Sequence, residues 1–248
     1  MTGIFFCVTM QPEGKINVIM EQIRIEKKDK DFLVVYKPAG IAVQSARVGE
    51  MDLQHWLLGC LAQEETGKGT PYLSVIHRLD QPVEGLLVFA KNKKTAGILS
   101  GELQQRRMVK EYLAVVERAP KEESGRLTDI LLRDGRTNRS RVAAPGTPGG
   151  KEAVLEYRCL QKHESGRALL RIRLLTGRHH QIRVQLAHAG MPIAGDRKYG
   201  FRENPGKGGL GLCAETLSFH HPVTGEPLRF RVRPLGEAFR IFDLALDG

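Results

Sequence analysis

The chain has 248 residues, 41% of them hydrophobic, enough to bury a substantial core in one domain or two. No apolar run approaches the ~18 residues of a membrane helix, and the apolar start lacks the basic lead and small-residue cleavage site of a secretory signal. Lys and Arg number 38 against 28 acids, a net charge of +10 that makes a polyanion the natural partner.

Residues 1–22 show no clear period and contain Pro12 and Gly14, so they read as an N-terminal extension, with Met20 an alternative start of translation. Residues 23–248 read as one domain. Residues 32–36 form an apolar run of strand length that stops at Lys37-Pro38-Ala39-Gly40, where Lys37 is either a turn residue or a phosphate contact. The spacing of Leu53, Trp56, Leu57, Cys60 and Leu61 predicts a helix over 51–61 with one apolar stripe, and makes the sole tryptophan a core residue. Residues 67–71 break the chain.

Two further apolar runs, 72–76 and 86–90, have the composition of buried strands. Between them stand His77, Arg78 and Asp80, followed by Pro82 and Gly85, which disfavour regular structure. A carboxylate thus lies where a core strand ends. Such a position suits a catalytic group, because the strand fixes its origin and the loop opens it to substrate. It equally suits an aspartate that stabilises a turn or pairs with Arg78.

Residues 93–107 predict a second helix with Ala96, Leu99 and Leu103 inward, and with Arg106 and Arg107 favoured near its C-terminal end by the helix dipole. Residues 110–116 predict a strand on which Tyr112, Ala114 and Val116 share a face. From 117 to 151 the chain turns polar, and mobile excursions carrying basic side chains are expected there. Residues 126–183 hold 13 Lys/Arg against 5 Asp/Glu, most of the positive excess. That density is either a solvated basic surface or a polyanion site.

Residues 168–175 alternate Leu170, Ile172 and Leu174 with Arg171 and Arg173, the pattern of a half-buried strand. Thr176-Gly177-Arg178-His179-His180-Gln181-Ile182-Arg183 follows, opening a helical pattern through Ile182, Gln185, Leu186 and Ala189 that stops at Gly190. The paired histidines lack a second ligand cluster at suitable spacing, so no metal is expected. Residues 212–222 and 227–230 predict a strand, a turn and a return strand. Cys7, Cys60, Cys159 and Cys213 are scattered without a Cys-x-x-Cys, which fits neither a disulfide framework nor a zinc site and suits a reducing cytoplasm.

Four blocks together resemble the RluA-type pseudouridine synthases over residues 23–230. They are His77-Arg78-Leu79-Asp80 with the segment 85–91, Lys110-Glu111-Tyr112, the eight residues from Thr176 to Arg183 with 191–200, and the segment 212–230. The resemblance implies an α+β fold with a mixed, mainly antiparallel sheet and flanking helices, the pseudouridine synthase fold. It implies that Asp80 is the catalytic carboxylate, that Arg183 pairs with it, and that Tyr112 stacks on the target uracil and assists proton removal at C5. Arg78 would fill the base stack that the target vacates, with His77, Lys110, Arg178 and His180 as further RNA contacts. The family usually has Thr-Ser where this chain has Val83-Glu84, a departure that bears on RNA contacts and substrate choice.

Converting uridine to pseudouridine breaks the C1′–N1 bond, rotates the uracil, joins C5 to C1′ and removes the C5 proton. A carboxylate must stay ionised in an enclosed site, although burial raises an acid's pKa from about 4, and a guanidinium opposes that shift. Addition to the sugar, addition to the base, and removal of the 2′ proton all remain open to Asp80. Flipping the base out of its stack costs on the order of a few kcal/mol. The chemistry needs no cofactor. The expected partner is structured RNA, ribosomal or transfer, with no membrane and no protein partner evident. With about 22 residues before the family-like sequence, no N-terminal RNA-binding module is expected. A non-catalytic RNA-binding protein and a hydrolytic, uracil-releasing enzyme are the alternatives.

Overall fold

The computed structural model describes residues 15–45, 47, 49–64, 70–200 and 209–244. In chain order the elements are α1 (Lys15–Met20), β1 (Arg24–Lys28), β2 (Phe32–Lys37), α2 (Leu53–Glu64), β3 (Ser74–Val75), β4 (Glu84–Ala90), α3 (Lys93–Gln104) and β5 (Val109–Val116). There follow β6 (Ser124–Asp134), β7 (Arg139–Ala143), β8 (Lys151–Lys162), β9 (Ala168–Leu174), α4 (Gln181–His188), β10 (Leu212–His220), β11 (Pro227–Arg231) and a 3-10 turn, Glu237–Ile241. This is an α+β chain with few helices. It divides into two compact units, Met1–Val109 with Thr216–Val232, and Lys110–Glu215 with Arg233–Gly248. The expected span 23–248 thus comprises two such units. Of the expected extension, residues 1–14 lie outside the described residues, as do 67–69 of the expected break, while Met20 is buried at the end of α1.

In the first unit, β1 pairs antiparallel with β2, β2 with β4, and the two-residue β3 with the end of β4. All six residues of β2 and all seven of β4 are buried, so these largely apolar strands are covered on both faces and carry the unit's core. The run expected as a strand over 72–76 contributes only Ser74 and Val75, opposite Ala90 and Phe89, and Tyr72 is exposed. Asp52 caps α2, accepting from the His55 amide at 2.8 Å, and Leu53, Leu57, Cys60 and Leu61 face inward as predicted, with Trp56 half-buried. Asn92 caps α3 by accepting from the Thr95 amide at 2.8 Å. The inward face of α3 is Thr95, Leu99 and Glu102, a correction to the expected Ala96, Leu99 and Leu103. Glu102 goes inside because the His220 amide and ring nitrogen both meet its carboxylate at 2.9 Å. The helix stops before the two arginines, since Arg106 adopts a left-handed φ of 59°.

The second unit is an antiparallel array in which β5 pairs β9, β9 pairs β8, β8 pairs β6 and β6 pairs β7. About half of the stretch expected as mobile excursions, residues 117–151, is therefore regular strand. The ladder runs from Ser124 opposite Arg158 to Leu131 opposite Lys151, and β7 adds Arg139–Ala143 on the outer edge. Its inward set, Gly125, Leu127, Asp129 and Leu131, keeps the period of two, but a glycine and an acid hide it from a hydrophobicity reading. Helix α4 lies against this ribbon. Val184 packs with Leu131 and Ala153, joined by Val142 and Tyr199. Residues 181–186 are all buried, so α4 is a core helix and its expected inward Ala189 is instead exposed beyond the C-terminus.

Candidate active site

Asp80 sits in the turn that leads into β4. The Val83 amide donates to the Asp80 carbonyl at 3.0 Å, closing residues 80–83, and the Asp80 side chain is half-buried. This turn is latched to the end of β2. The Gly40 amide donates to the Gln81 carbonyl at 2.8 Å, and the Gln81 side-chain amide donates to the Gly40 carbonyl at 2.9 Å. Gly40 holds φ 99°, a region that favours glycine, and its exchange with Gln81 depends on that conformation. Lys37 completes the latch. It is fully buried, and its ammonium donates to the carbonyls of Pro38 at 3.0 Å, Ile41 at 2.9 Å and Gln81 at 3.1 Å. Burial pushes its pKa down from 10.5 to about 7, against the charges of Asp80 and Glu84, which pull it upward. Of the two expectations for Lys37, the turn role holds, because a side chain with no exposed surface does not meet a phosphate backbone.

Glu84 is buried and accepts from the Tyr36 hydroxyl. Val83 is buried as well. The Val83-Glu84 departure is thus buried at the entry to β4 rather than on an outer face. Of the neighbouring motif residues, Arg78 is exposed, while His77 and Leu79 are buried.

In the second unit, Tyr112 lies on β5 opposite Ile172 and is 6% exposed. Lys110, two residues earlier, has its ammonium beside Gly177, where an added Cβ would lie 3.8 Å from Nζ. Burial pushes the Lys110 pKa below its ordinary value. The segment 176–181 is locked by one side chain. Gln181 Oε1 accepts from the Thr176 hydroxyl at 2.8 Å and the Arg178 amide at 2.9 Å, while Nε2 donates to the Val154 carbonyl at 3.1 Å. Arg178 is exposed, with Nε donating to the Glu152 carbonyl at 2.8 Å.

His180 enters α4 in a left-handed conformation, φ 54°. Its ring meets the Tyr199 hydroxyl at 2.7 Å and stacks on His179 at 3.8 Å. His179 reaches the β6–β7 turn, with Nδ1 2.9 Å from Ser140 Oγ and Nε2 3.0 Å from Asn138 Oδ1. Arg183 is buried and donates through Nε and Nη2 to both oxygens of Asp196, each at 2.8 Å. Its guanidinium carbon lies 5.3 Å from the Tyr199 ring centre. Burial raises the Asp196 pKa, but the hydrogen bond and charge of Arg183 and the amides of Lys198 and Tyr199 outweigh it and hold the carboxyl below its ordinary value.

The expected site residues therefore fall into two groups. Asp80, Arg78 and His77 belong to the first unit, and Lys110, Tyr112, Arg178, His180 and Arg183 to the second. Asp196, Tyr199 and His179 were given no role by sequence. Asp196 is 13 residues from Arg183 with no periodic relation to it, so only the fold shows the pair. Among the described residues, no three His, Cys, Asp or Glu side chains are grouped to hold a metal ion, and Cys60, Cys159 and Cys213 are not joined in disulfides. No helix of the described residues is long and apolar enough to cross a membrane.

The model of the RNA pseudouridylate synthase family matches residues 31–188. The chain is 32% identical over 234 residues to the uncharacterized RNA pseudouridine synthase YlyB of Bacillus subtilis, covering 93% of this chain and 75% of that one. It is also 32% identical over 244 residues to the ribosomal large subunit pseudouridine synthase D of Xylella fastidiosa, covering 92% and 71%. Among solved structures, human RNA pseudouridylate synthase domain containing 1 aligns with a TM-score of 0.69 at 25% identity, over 91% of this chain and 86% of that one. Human RNA pseudouridylate synthase domain containing 4 shares the fold with a TM-score of 0.71 at 24% identity, over 88% and 90%. A family match spanning both units, joined to relatives of which the chain covers 75% and 71%, means that the chain belongs to the RNA pseudouridylate synthase family and is an isomerase acting on RNA.

Proposed function

We propose that this protein isomerises specific uridines of ribosomal or transfer RNA to pseudouridine, with Asp80 as the essential carboxylate. The observation that carries this reading is the Asp80 turn itself. The turn that carries this half-buried carboxylate is held at the mouth of a fully buried strand, with Gly40 and Lys37 donating to the Gln81 carbonyl and the Gln81 side chain donating back to Gly40. A group fixed in this way loses little freedom when substrate arrives, which favours the reactive geometry. In this proposal Arg183 is the arginine partner of Asp80, and Tyr112 holds the flat uracil while it rotates. Arg78 and Arg178, both exposed, contact RNA directly, with Arg78 entering the vacated stack. Lys110 is half-buried and adds charge beside Gly177, and the buried His180, bonded to the Tyr199 hydroxyl, holds the loop that carries Arg178, with His77 a further RNA contact next to Arg78 in the chain.

Ribosomal RNA is the first substrate to test, because the Xylella relative is named for the large ribosomal subunit. The proposed assignment to the cytoplasm follows from that substrate. Pseudouridines should be mapped across ribosomal and transfer RNA from cells with and without this protein. The proposal expects one or a few sites to vanish, and to return with the wild-type chain but not with Asp80→Asn. Sites that persist in its absence at every position would rule it out. The family match and the synthase names of the relatives favour this reading over the binding-protein alternative.

A further inference from the structure

The turn bearing Asp80 rests on a charged group that the reaction does not consume, and this chain supplies that group with an additional acid. Lys37 Nζ has three carbonyl acceptors, and only an ammonium offers three N–H donors. A neutral amine would present a lone pair to one of those oxygens and release it. Among the three is the Gln81 carbonyl, one residue from Asp80 and also the acceptor for the Gly40 amide. The protonation of Lys37 is therefore tied to the shape of the Asp80 turn.

What keeps a fully buried amine charged is nearby negative charge. Lys37 lies opposite Gly85 in the β2–β4 ladder, so Glu84 is its diagonal neighbour across the strands, and the described charges that act on Lys37 are Asp80, from the turn, and Glu84, from the start of β4. Glu84 is itself anchored. Tyr36 lies opposite Leu86 in the ladder, so its side chain shares a face with Glu84, and its hydroxyl donates to the Glu84 carboxylate. The Tyr36 ring is in turn covered by the Arg24 guanidinium, 4.1 Å from its centre. Asp80 is the group proposed to change its bonding during the reaction, whereas Glu84, bonded to Tyr36, takes no part in it.

We propose that Glu84 is a positioning residue for Asp80, acting through Lys37: its fixed charge keeps Lys37 in the three-donor form that holds the Gln81 carbonyl and the turn. This rests on the reading of Asp80 as the catalytic carboxylate. It explains why an acid is tolerated inside a strand whose other residues are apolar or glycine. With Lys37 poised at about 7, a modest loss of neighbouring charge moves it from mostly charged to mostly neutral near neutral pH.

The test uses the full chain as wild type, Glu84→Gln and Glu84→Asp, with two readouts. The first is the titration of Lys37 by NMR of isotopically labelled lysine, assigned with Lys37→Arg, which requires no RNA. Glu84→Gln is expected to lower the Lys37 midpoint by at least about half a pH unit, with Glu84→Asp restoring most of it. The second is the single-turnover rate on substrate RNA from about pH 6 to about pH 9. The alkaline decline in rate is expected to move down with the Lys37 midpoint in Glu84→Gln, with KM for RNA changed less than about twofold, since the residue acts on the turn and not on binding. A Lys37 midpoint unchanged by Glu84→Gln overturns the coupling. A shifted midpoint with an unshifted rate profile overturns the positioning role. If wild type isomerises no RNA at any pH, the reading of Asp80 fails, a result the NMR titration keeps separate from the coupling itself.

Discussion

Arg183 and Asp196 form a bidentate ion pair in the interior of the second unit, with both N–O distances 2.8 Å and side chains only 4% and 1% exposed. Removing one partner from such a pair leaves a buried, uncompensated charge. Asp196 also accepts from the Lys198 and Tyr199 amides, so its loss frees those donors too. Asp196→Ala is expected to lower unfolding stability by about 3–5 kcal/mol in urea titrations, and to lower activity by misplacing Arg183. Because the folded Asp196 pKa is depressed, its contribution is present above the unfolded pKa. That contribution is lost as pH falls through the folded value, so the gap between variant and wild type narrows in acid.

Lys37 gives the opposite pH signature. Its pKa is about 7 folded against 10.5 ordinarily. Between those values the unfolded chain binds one more proton, so this residue makes stability rise with pH across the window. Below about 7 both states are protonated, and the cost of burying the charge is present in full. Relative to Lys37→Met, the wild type should therefore gain stability from pH 7 toward pH 10, read from denaturant midpoints. A difference that is flat over that range would contradict a buried, depressed Lys37.

His179 bridges two elements that sequence did not connect. Its ring nitrogens meet Ser140 and Asn138, tying the start of α4 to the β6–β7 turn. His179→Ala should cost about 1 kcal/mol in global stability. It should raise amide hydrogen exchange over residues 136–141 while leaving β9 protected. Equal exchange in variant and wild type at that turn would refute the bridge.

Gly195 has φ 72°, and a Cβ there would lie 1.8 Å from the Gly209 carbonyl oxygen. Backbone rather than a movable side chain stands in the way. Gly195→Ala is expected to lose at least about 3 kcal/mol, combining left-handed strain with displacement of residues 209–210. Thermal unfolding within a degree of wild type would show that the close approach is not maintained.

The strands with continuous apolar runs were legible from composition, because β2 and β4 are buried on both faces and need no partner to reveal them. The α2 stripe was legible for a related reason, its inward residues being nearly all apolar. The hairpin β6–β7 was not, since its inward face includes Gly125 and Asp129 and its stability lies in ladder pairing with β8. The α3 face was misread where Glu102 goes inside to meet His220, a partner 118 residues away. In the candidate site, the positions of Asp80, Tyr112 and Arg183 could be marked from motifs. What supports them could not, because Lys37 with Gln81 and Arg183 with Asp196 are contacts made by folding, with no periodic relation in the chain.

The most direct measurement is tritium release from RNA labelled at uracil C5, taken from cells lacking this protein, with wild type compared against Asp80→Asn. Replacing C5–H by C5–C1′ expels the label, so release reports the isomerisation itself. Wild type is predicted to release tritium from a defined set of sites, and Asp80→Asn to do so at least about a thousandfold more slowly while keeping its fold. Equal release by the two proteins would contradict the role given to Asp80. No release by either, with RNA bound by both, would leave the chain a binder of RNA rather than its modifier.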